Sequence, residues 1–258
     1  MRLSSRKQFI VAAMAFLGVL AVLQYWLAGH RPATLDRADV DLIVTSSFDR
    51  GPGSLREAIF RADTSAKRTR IVIRSPQPIR LETPLPPLVN PQGTIVEGET
   101  DRSEINAEAV DHGAVFDIAS PHSLITRIKI TKPPEQAVLA RAPGVRLSRV
   151  AFSGCDVCVS VASGVNDFIT EDSHFANNRV GIWLAADNAG IVIRNNQFRD
   201  HSDAAIWAVR GSSSEAPLSS GVQIRGNRFE ADRLSLVLGN VSAAVDDNEF
   251  VQDRKSVV

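Results

Sequence analysis

The tetrapeptide Asp200-His201-Ser202-Asp203 places two carboxylates around an imidazole. Proton-transfer chemistry uses these groups: one takes or gives the proton, and a neighbour orients it or complements its charge. Asp200, His201 and Asp203 are therefore the candidate catalytic residues. Trp207 follows four positions later, and Trp183 lies one repeat upstream. Two indoles on one face would form a flat apolar platform suited to a sugar ring. Glu171, Arg194 and Arg225 add charge. Arginine pairs a uronate carboxylate through two parallel hydrogen bonds, and a nearby base can remove the proton α to that carboxylate. Trp183, Trp207, Arg194, Arg225 and Glu171 are the candidate carbohydrate-binding residues. Each group also has a structural reading: a polar turn for Asp200–Asp203, and ion pairs between neighbouring strands for Glu171/Arg194, Arg225/Asp246 and Arg228/Glu249.

A repeat must position these residues. "IVIRNNQF" ends on Phe198, and similar segments end on Ile130, Phe152, Phe175, Phe229 and Phe250. The separations are 22, 23, 23, 31 and 21, and the long interval contains the insertion Gly211–Ser220. A period in the twenties built of strand-like units specifies a solenoid. Within each segment polarity alternates with period two, so Ile191 and Ile193 face one way and Val192 and Arg194 the other. A second alternating run follows each Phe, as in Val180/Ile182/Leu184, giving at least two strands per coil. No Leu framework or convex helix supports a leucine-rich repeat, and a propeller blade needs about forty residues. The pattern predicts a parallel β-helix with an internal Phe column. Ser173, Asn196, Asn227 and Asn248, two residues before each Phe, form a ladder that hydrogen-bonds along the stack. If Ala204, Ile206 and Ala208 face inward, both Trp face outward on adjacent coils; a shifted register buries Trp207. The insertion Gly211–Ser220 would stand as a wall beside them.

The flanking segments are of other kinds. Residues 1–8 are basic, with Arg2, Arg6 and Lys7, and Phe9–Ala28 is nearly uninterrupted apolar sequence. Twenty residues at about 1.5 Å each span a bilayer core, and the preceding positive charge places the N-terminus in the cytoplasm. The expectation is an uncleaved transmembrane anchor, with a cleaved signal peptide as the alternative. Residues 29–40 then form a linker to a β-helix domain over 41–258, located in the periplasm or outside the cell. Cys155 and Cys158 form either a local disulfide or buried thiols. With 29 basic and 29 acidic residues, the chain lacks the charge excess of a nucleic-acid binder. It contains no nucleotide loop, metal cluster or nucleophile elbow, so neither cofactor nor metal is expected.

The start of the domain carries a resemblance. In "GPGSLREAIFRAD", Ser54 and Glu57 form a capping box, and Leu55, Ala58, Ile59 and Ala62 mark one helical face. Then come "RIVIRS", "PIRLETPLPPL" and "GTIVEGE". This series resembles the opening of exported bacterial right-handed β-helix proteins of the pectate-lyase-like group, and the resemblance spans residues 41–258. It implies an all-β, single-stranded right-handed solenoid whose first helix caps an otherwise open end. The group includes lyases, hydrolases, epimerases and adhesins, so the resemblance leaves the activity open. Asp200–Asp203 also resembles the Asp-Pro-His-Asp motif of β-helix mannuronan epimerases. The resulting expectation is an envelope protein that binds or processes a polysaccharide, by lyase or epimerase chemistry if catalytic. The alternative is a non-catalytic scaffold that meets a protein partner at its C-terminal end.

Overall fold

The structure, a computed structural model, describes residues 37–209, 219–239 and 241–251. The segment Phe9–Ala28, nearly all of the insertion Gly211–Ser220 and the final seven residues lie outside these. Among the described residues, no helix is long and apolar enough to cross a membrane.

The described chain is a right-handed parallel β-helix of about seven turns. Three sheets run its length: nine strands from Val40–Val44 to Ala243–Asp246 (sheet 1), eight from Ile79–Arg80 to Glu249–Val251 (sheet 2), and six from Ala114–Ile118 to Leu236–Gly239 (sheet 3). Every strand pairs in parallel with its equivalents on the neighbouring coils.

From Thr94 to Gly239 each coil thus has three strands. What reads in sequence as one alternating segment is broken by a bend, so that Ile169–Glu171 belongs to sheet 1 and His174–Ala176 to sheet 2. The bend comes from one residue per coil in the left-handed region: Arg127, Arg149, Asp172, Asn195, Gly226 and Asp247, with φ between 50° and 63°. Asn and Gly adopt this region readily. The bend therefore puts two outward polar rows on different sheets. Glu171, Arg194 and Arg225 stand on sheet 1, whereas His174, Gln197 and Arg228 stand on sheet 2.

Inward residues stack into columns. On sheet 2, Phe152, Phe175, Phe198, Phe229 and Phe250 lie in register, with adjacent ring centroids 4.8, 4.7, 5.0 and 5.0 Å apart. That spacing is set by the distance between hydrogen-bonded strands, and each fully buried ring contributes about 2–3 kcal/mol. Beside this column runs the polar ladder. Asn196 Oδ1 accepts from the Ser173 N–H at 3.0 Å, and Asn227 Oδ1 accepts from the Asn196 N–H at 2.9 Å. Asn248 Oδ1 likewise accepts from the Asn227 N–H at 2.9 Å. Each amide side chain satisfies a backbone group that the bend removes from the sheet hydrogen-bonding pattern.

Near the first coils, a helix (α1) runs Leu55–Asp63. Ser54 Oγ accepts from the Glu57 N–H, and Glu57 reaches back to the Gly53 N–H at 2.6 Å. Its Leu55, Ala58, Ile59 and Ala62 face is buried in the same core as Leu42 and Val44 of the first strand.

Candidate functional site

The outer face of sheet 3 brings the two tryptophans together. Trp183 and Trp207 are register partners on adjacent strands, so alternation points both away from the core. Their rings stack with centroids 5.7 Å apart and planes 13° from parallel. Trp183 is 36% exposed and Trp207 half-buried. The extra residue in "DHSDAA" is absorbed before the strand, which is why the pairing runs Val180 to Ala204 and leaves the tryptophans aligned. Leu139 and Ser160 continue the same outward column on one side and Val237 on the other. An uncharged strip five residues long results, with the stacked indole pair within it.

A line of charges edges the strip at the corner between sheets 2 and 3. Arg179 binds Asp156 on the previous coil at 2.5 Å and Asp203 on the next at 3.0 Å, and Arg233 stands 3.6 Å from Asp203. The Asp156 carboxyl is held below its usual range, first by its hydrogen bond from Arg179 and then by that guanidinium's charge, against an opposing desolvation. The signal for Arg179 was present in the sequence. Asp156, Arg179 and Arg233 each lie four residues after the aromatic of their coil.

The three candidate acid–base residues are not brought to one surface. Asp200 occupies a left-handed turn position, φ 57°, is exposed, and pairs with Arg199 at 3.0 Å. Asp203 is engaged by Arg179 and Arg233 as described. His201 points inward and its side chain has no exposed surface. Its Nδ1 lies 2.7 Å from Asp232 Oδ1, and its Nε2 is 3.4 Å from Asn178 Nδ2. Asn178 Oδ1 is committed to the Cys155 N–H at 3.0 Å, so its amide hydrogens face His201. Nε2 must then accept, which puts the imidazole proton on Nδ1, facing Asp232. Gly181 makes the room: a Cβ there would sit 2.4 Å from the Ala205 carbonyl oxygen and 3.0 Å from His201 Nε2.

His201 is thus a rung of a second polar ladder, made of Asn178, His201 and Asp232, each three residues after its Phe. A lone "DHSD" reads as a turn with chemistry, because the orientation of one His within it depends on where the corner falls. At the start of that corner Cys155 and Cys158 are joined as a disulfide, with Cα atoms 5.1 Å apart.

On sheet 1, Glu171 has only 3% of its side chain exposed and lies between two arginines. Arg194 Nε donates to it at 2.7 Å and Arg146 Nε at 2.6 Å. The repeat pattern pairs Glu171 with Arg194 alone. Arg146 reaches Glu171 diagonally from the previous coil, a contact that same-face neighbours two residues apart allow. Burial pushes the Glu171 carboxyl up, but the hydrogen bonds and charges of Arg194 and Arg146 outweigh it, and its pKa falls below the ordinary 4.5. A group lowered on folding stabilises above its unfolded pKa, and that contribution is lost as pH falls through the folded one. Thermal denaturation from pH 7 to pH 3 should therefore show wild type well above Glu171→Gln at neutral pH, with the gap closing in acid. A gap independent of pH would show that this carboxylate is not linked to folding.

The other expected pairs divide. Arg228 binds Glu249 at 2.7 Å. Arg225 and Asp246 are register partners but form no ion pair among the described residues, so Arg225 is an exposed cation beside Arg194. No group of three or more His, Cys, Asp or Glu among the described residues could hold a metal ion.

Comparison with known proteins agrees with this architecture. Residues 114–257 match the family described as right handed beta helix region. No curated protein matches the chain significantly. Among solved structures, the ORF18 protein of Geobacillus virus E2 is similar with a TM-score of 0.52 at 10% identity, over 83% of this chain and 60% of that one. Endopolygalacturonase I from Stereum purpureum, solved with two galacturonates, gives 0.46 at 10% identity, over 74% and 68%. The Dettilon tailspike protein gives 0.41 at 12% identity, over 79% and 52%. The chain thus spans 60% of the length of the first of these, and at such identities the likeness is one of fold alone. Since the matched region covers more than half of the 258 residues and the described coils have the three-sheet parallel architecture, the chain belongs to the right-handed β-helix family.

Proposed function

We propose that this protein binds a polysaccharide along the outer face of sheet 3, with Trp183 and Trp207 as the stacking platform. The observation that carries the reading is the stacked, near-parallel indole pair on an uncharged outward strip. Burying both rings against a ligand removes apolar surface from water, and their planarity suits the C–H faces of pyranose rings. Binding rather than catalysis is favoured, because the His201 side chain has no exposed surface and Asp203 is already paired with arginine. If the chain does act on its glycan, Asp200 and Asp203 are the carboxylates left at the surface near the platform. Arg194, Arg225 and Glu171 lie on a different sheet and would contact only a chain that wraps around the coil.

The remaining parts of the reading concern placement. Residues 9–28 tether the chain to the inner membrane, with the β-helix in the periplasm or outside the cell. A disulfide at Cys155–Cys158 accords with such an oxidising compartment. In this arrangement α1 covers the first coil and shields its strand edge.

Titrating neutral and acidic polysaccharides into the full chain while following tryptophan fluorescence tests the platform. A saturable change is expected, together with a loss of about tenfold or more in affinity for Trp183→Ala and for Trp207→Ala, since one stacked ring is worth about 1–2 kcal/mol. Fluorescence unmoved by every glycan would end the platform reading. It would leave the second one, a scaffold that meets a protein partner at its C-terminal coils. That reading is favoured by the exposure of Val245 (37%) and Phe250 (41%), which occupy inward positions on the last described coil.

A further inference from the structure

We infer that the cleft over the turns joining sheets 1 and 2 is a second ligand site, shaped for the hydroxyl groups of a neutral sugar residue. It lies away from the tryptophans, which are on sheet 3, and does not depend on the platform reading. Asp101 and the turns of later coils line an open cleft of about 280 Å³. Asp101, Arg149, Asp172 and His174 line it, over a floor that includes Val150 and Ala151.

Several opposite charges one coil apart on the outer faces find each other, as in Arg141–Asp117, Arg179–Asp156 and Arg228–Glu249, though Arg225 and Asp246 do not. Arg149 and Asp172 are also opposite charges at equivalent positions of neighbouring coils, immediately after the register partners Ser148 and Glu171. Yet they form no ion pair, and no side-chain hydrogen bond of Asp101, Arg149, Asp172 or His174 is present among the described residues. Both turn residues have left-handed backbones, φ 55° and 51°. Asn195 and Gly226 hold the same place on later coils with less strain.

The chemistry of the ligand follows from the groups. Two carboxylates accept from hydroxyls, a guanidinium donates, and an imidazole does either. Asp101, Asp172 and His174 are too dispersed to converge on one metal ion. Dispersed donors and acceptors instead match a ligand with several separated hydroxyls. With two acids against one arginine, an anionic sugar is repelled relative to a neutral one.

The test uses the full chain with ¹³C-labelled histidine rings, His174 being assigned through His174→Gln. Glucose, galactose and mannose, and separately glucuronate and galacturonate, are titrated while the His174 ring resonances are followed. At least one neutral hexose should shift them saturably, and the matching uronate should bind several-fold more weakly. Arg149→Asn should weaken the hexose at least tenfold while its melting temperature stays at or above wild type, because Asn suits the left-handed position. Trp183→Ala should leave this response unchanged, which separates failure here from failure of the platform. The proposal is overturned if no hexose moves His174, if the uronate binds more tightly, or if the response survives Arg149→Asn.

Discussion

Phe198→Ala should lower the stability of the β-helix by about 3–5 kcal/mol, the cost of removing a large aromatic from a packed core. Phe198 is 1% exposed and sits mid-column, stacked on Phe175 at 4.7 Å and Phe229 at 5.0 Å. It also touches the second corner, where its ring centroid is 6.0 Å from that of His201. Removing the ring opens a cavity between two coils whose backbones are fixed by sheet hydrogen bonds at constant spacing, so little collapse can relieve it. Phe250→Ala provides the internal control. Phe250 is 41% exposed and its ring stacks on one described neighbour only, Phe229, so its loss should cost far less. Denaturant unfolding of both variants gives the comparison directly. Equal midpoints would mean that the stack is not what holds the coils together.

Asn196→Ala should cost about 2–4 kcal/mol, without creating much of a cavity. Asn196 is 1% exposed and serves two buried backbone groups: Oδ1 accepts from the Ser173 N–H, and Nδ2 donates to the Thr170 carbonyl at 3.1 Å. Alanine leaves the buried Ser173 N–H without its acceptor and the Thr170 carbonyl without its side-chain donor, the lost N–H contact alone costing about 1–3 kcal/mol. The ladder itself indicates the rescue. One coil earlier a serine fills this position, and Ser173 Oγ accepts from the Val150 N–H at 3.1 Å. Asn196→Ser should therefore recover the part of the loss due to the Ser173 N–H, but not the part due to the Thr170 carbonyl. If Asn196→Ser were as unstable as Asn196→Ala, the N–H contact would not carry the energy assigned to it. Hydrogen exchange at the Ser173 amide, which should become markedly faster in the alanine variant, checks the same point locally.

Both results bear on how much of this protein can be read from its residues in order. The repeat, the inward Ile and Phe positions and the asparagine ladder are consequences of period alone, whereas the outward Trp pair also needed the extra residue in "DHSDAA" to be absorbed before the strand. A parallel stack puts equivalent residues in register, and strand alternation decides which side they take. The helix at Leu55–Asp63 was legible for a similar reason, since a capping box and an apolar stripe are local features.

What tertiary structure decided was everything that depends on a bend. A single left-handed residue per coil divides one alternating segment between two sheets, and nothing local distinguishes Arg149 or Asp172 from an ordinary strand residue. That division separates Arg194 from Gln197 and places Arg149, Asp172 and His174 around one cleft. The second corner does the same for His201: flanked by surface aspartates in sequence, it turns inward because Gly181 one coil below leaves space and Asp232 one coil above supplies an acceptor. Those partners lie 20 and 31 residues away, and only the stacking of coils brings them within hydrogen-bonding reach.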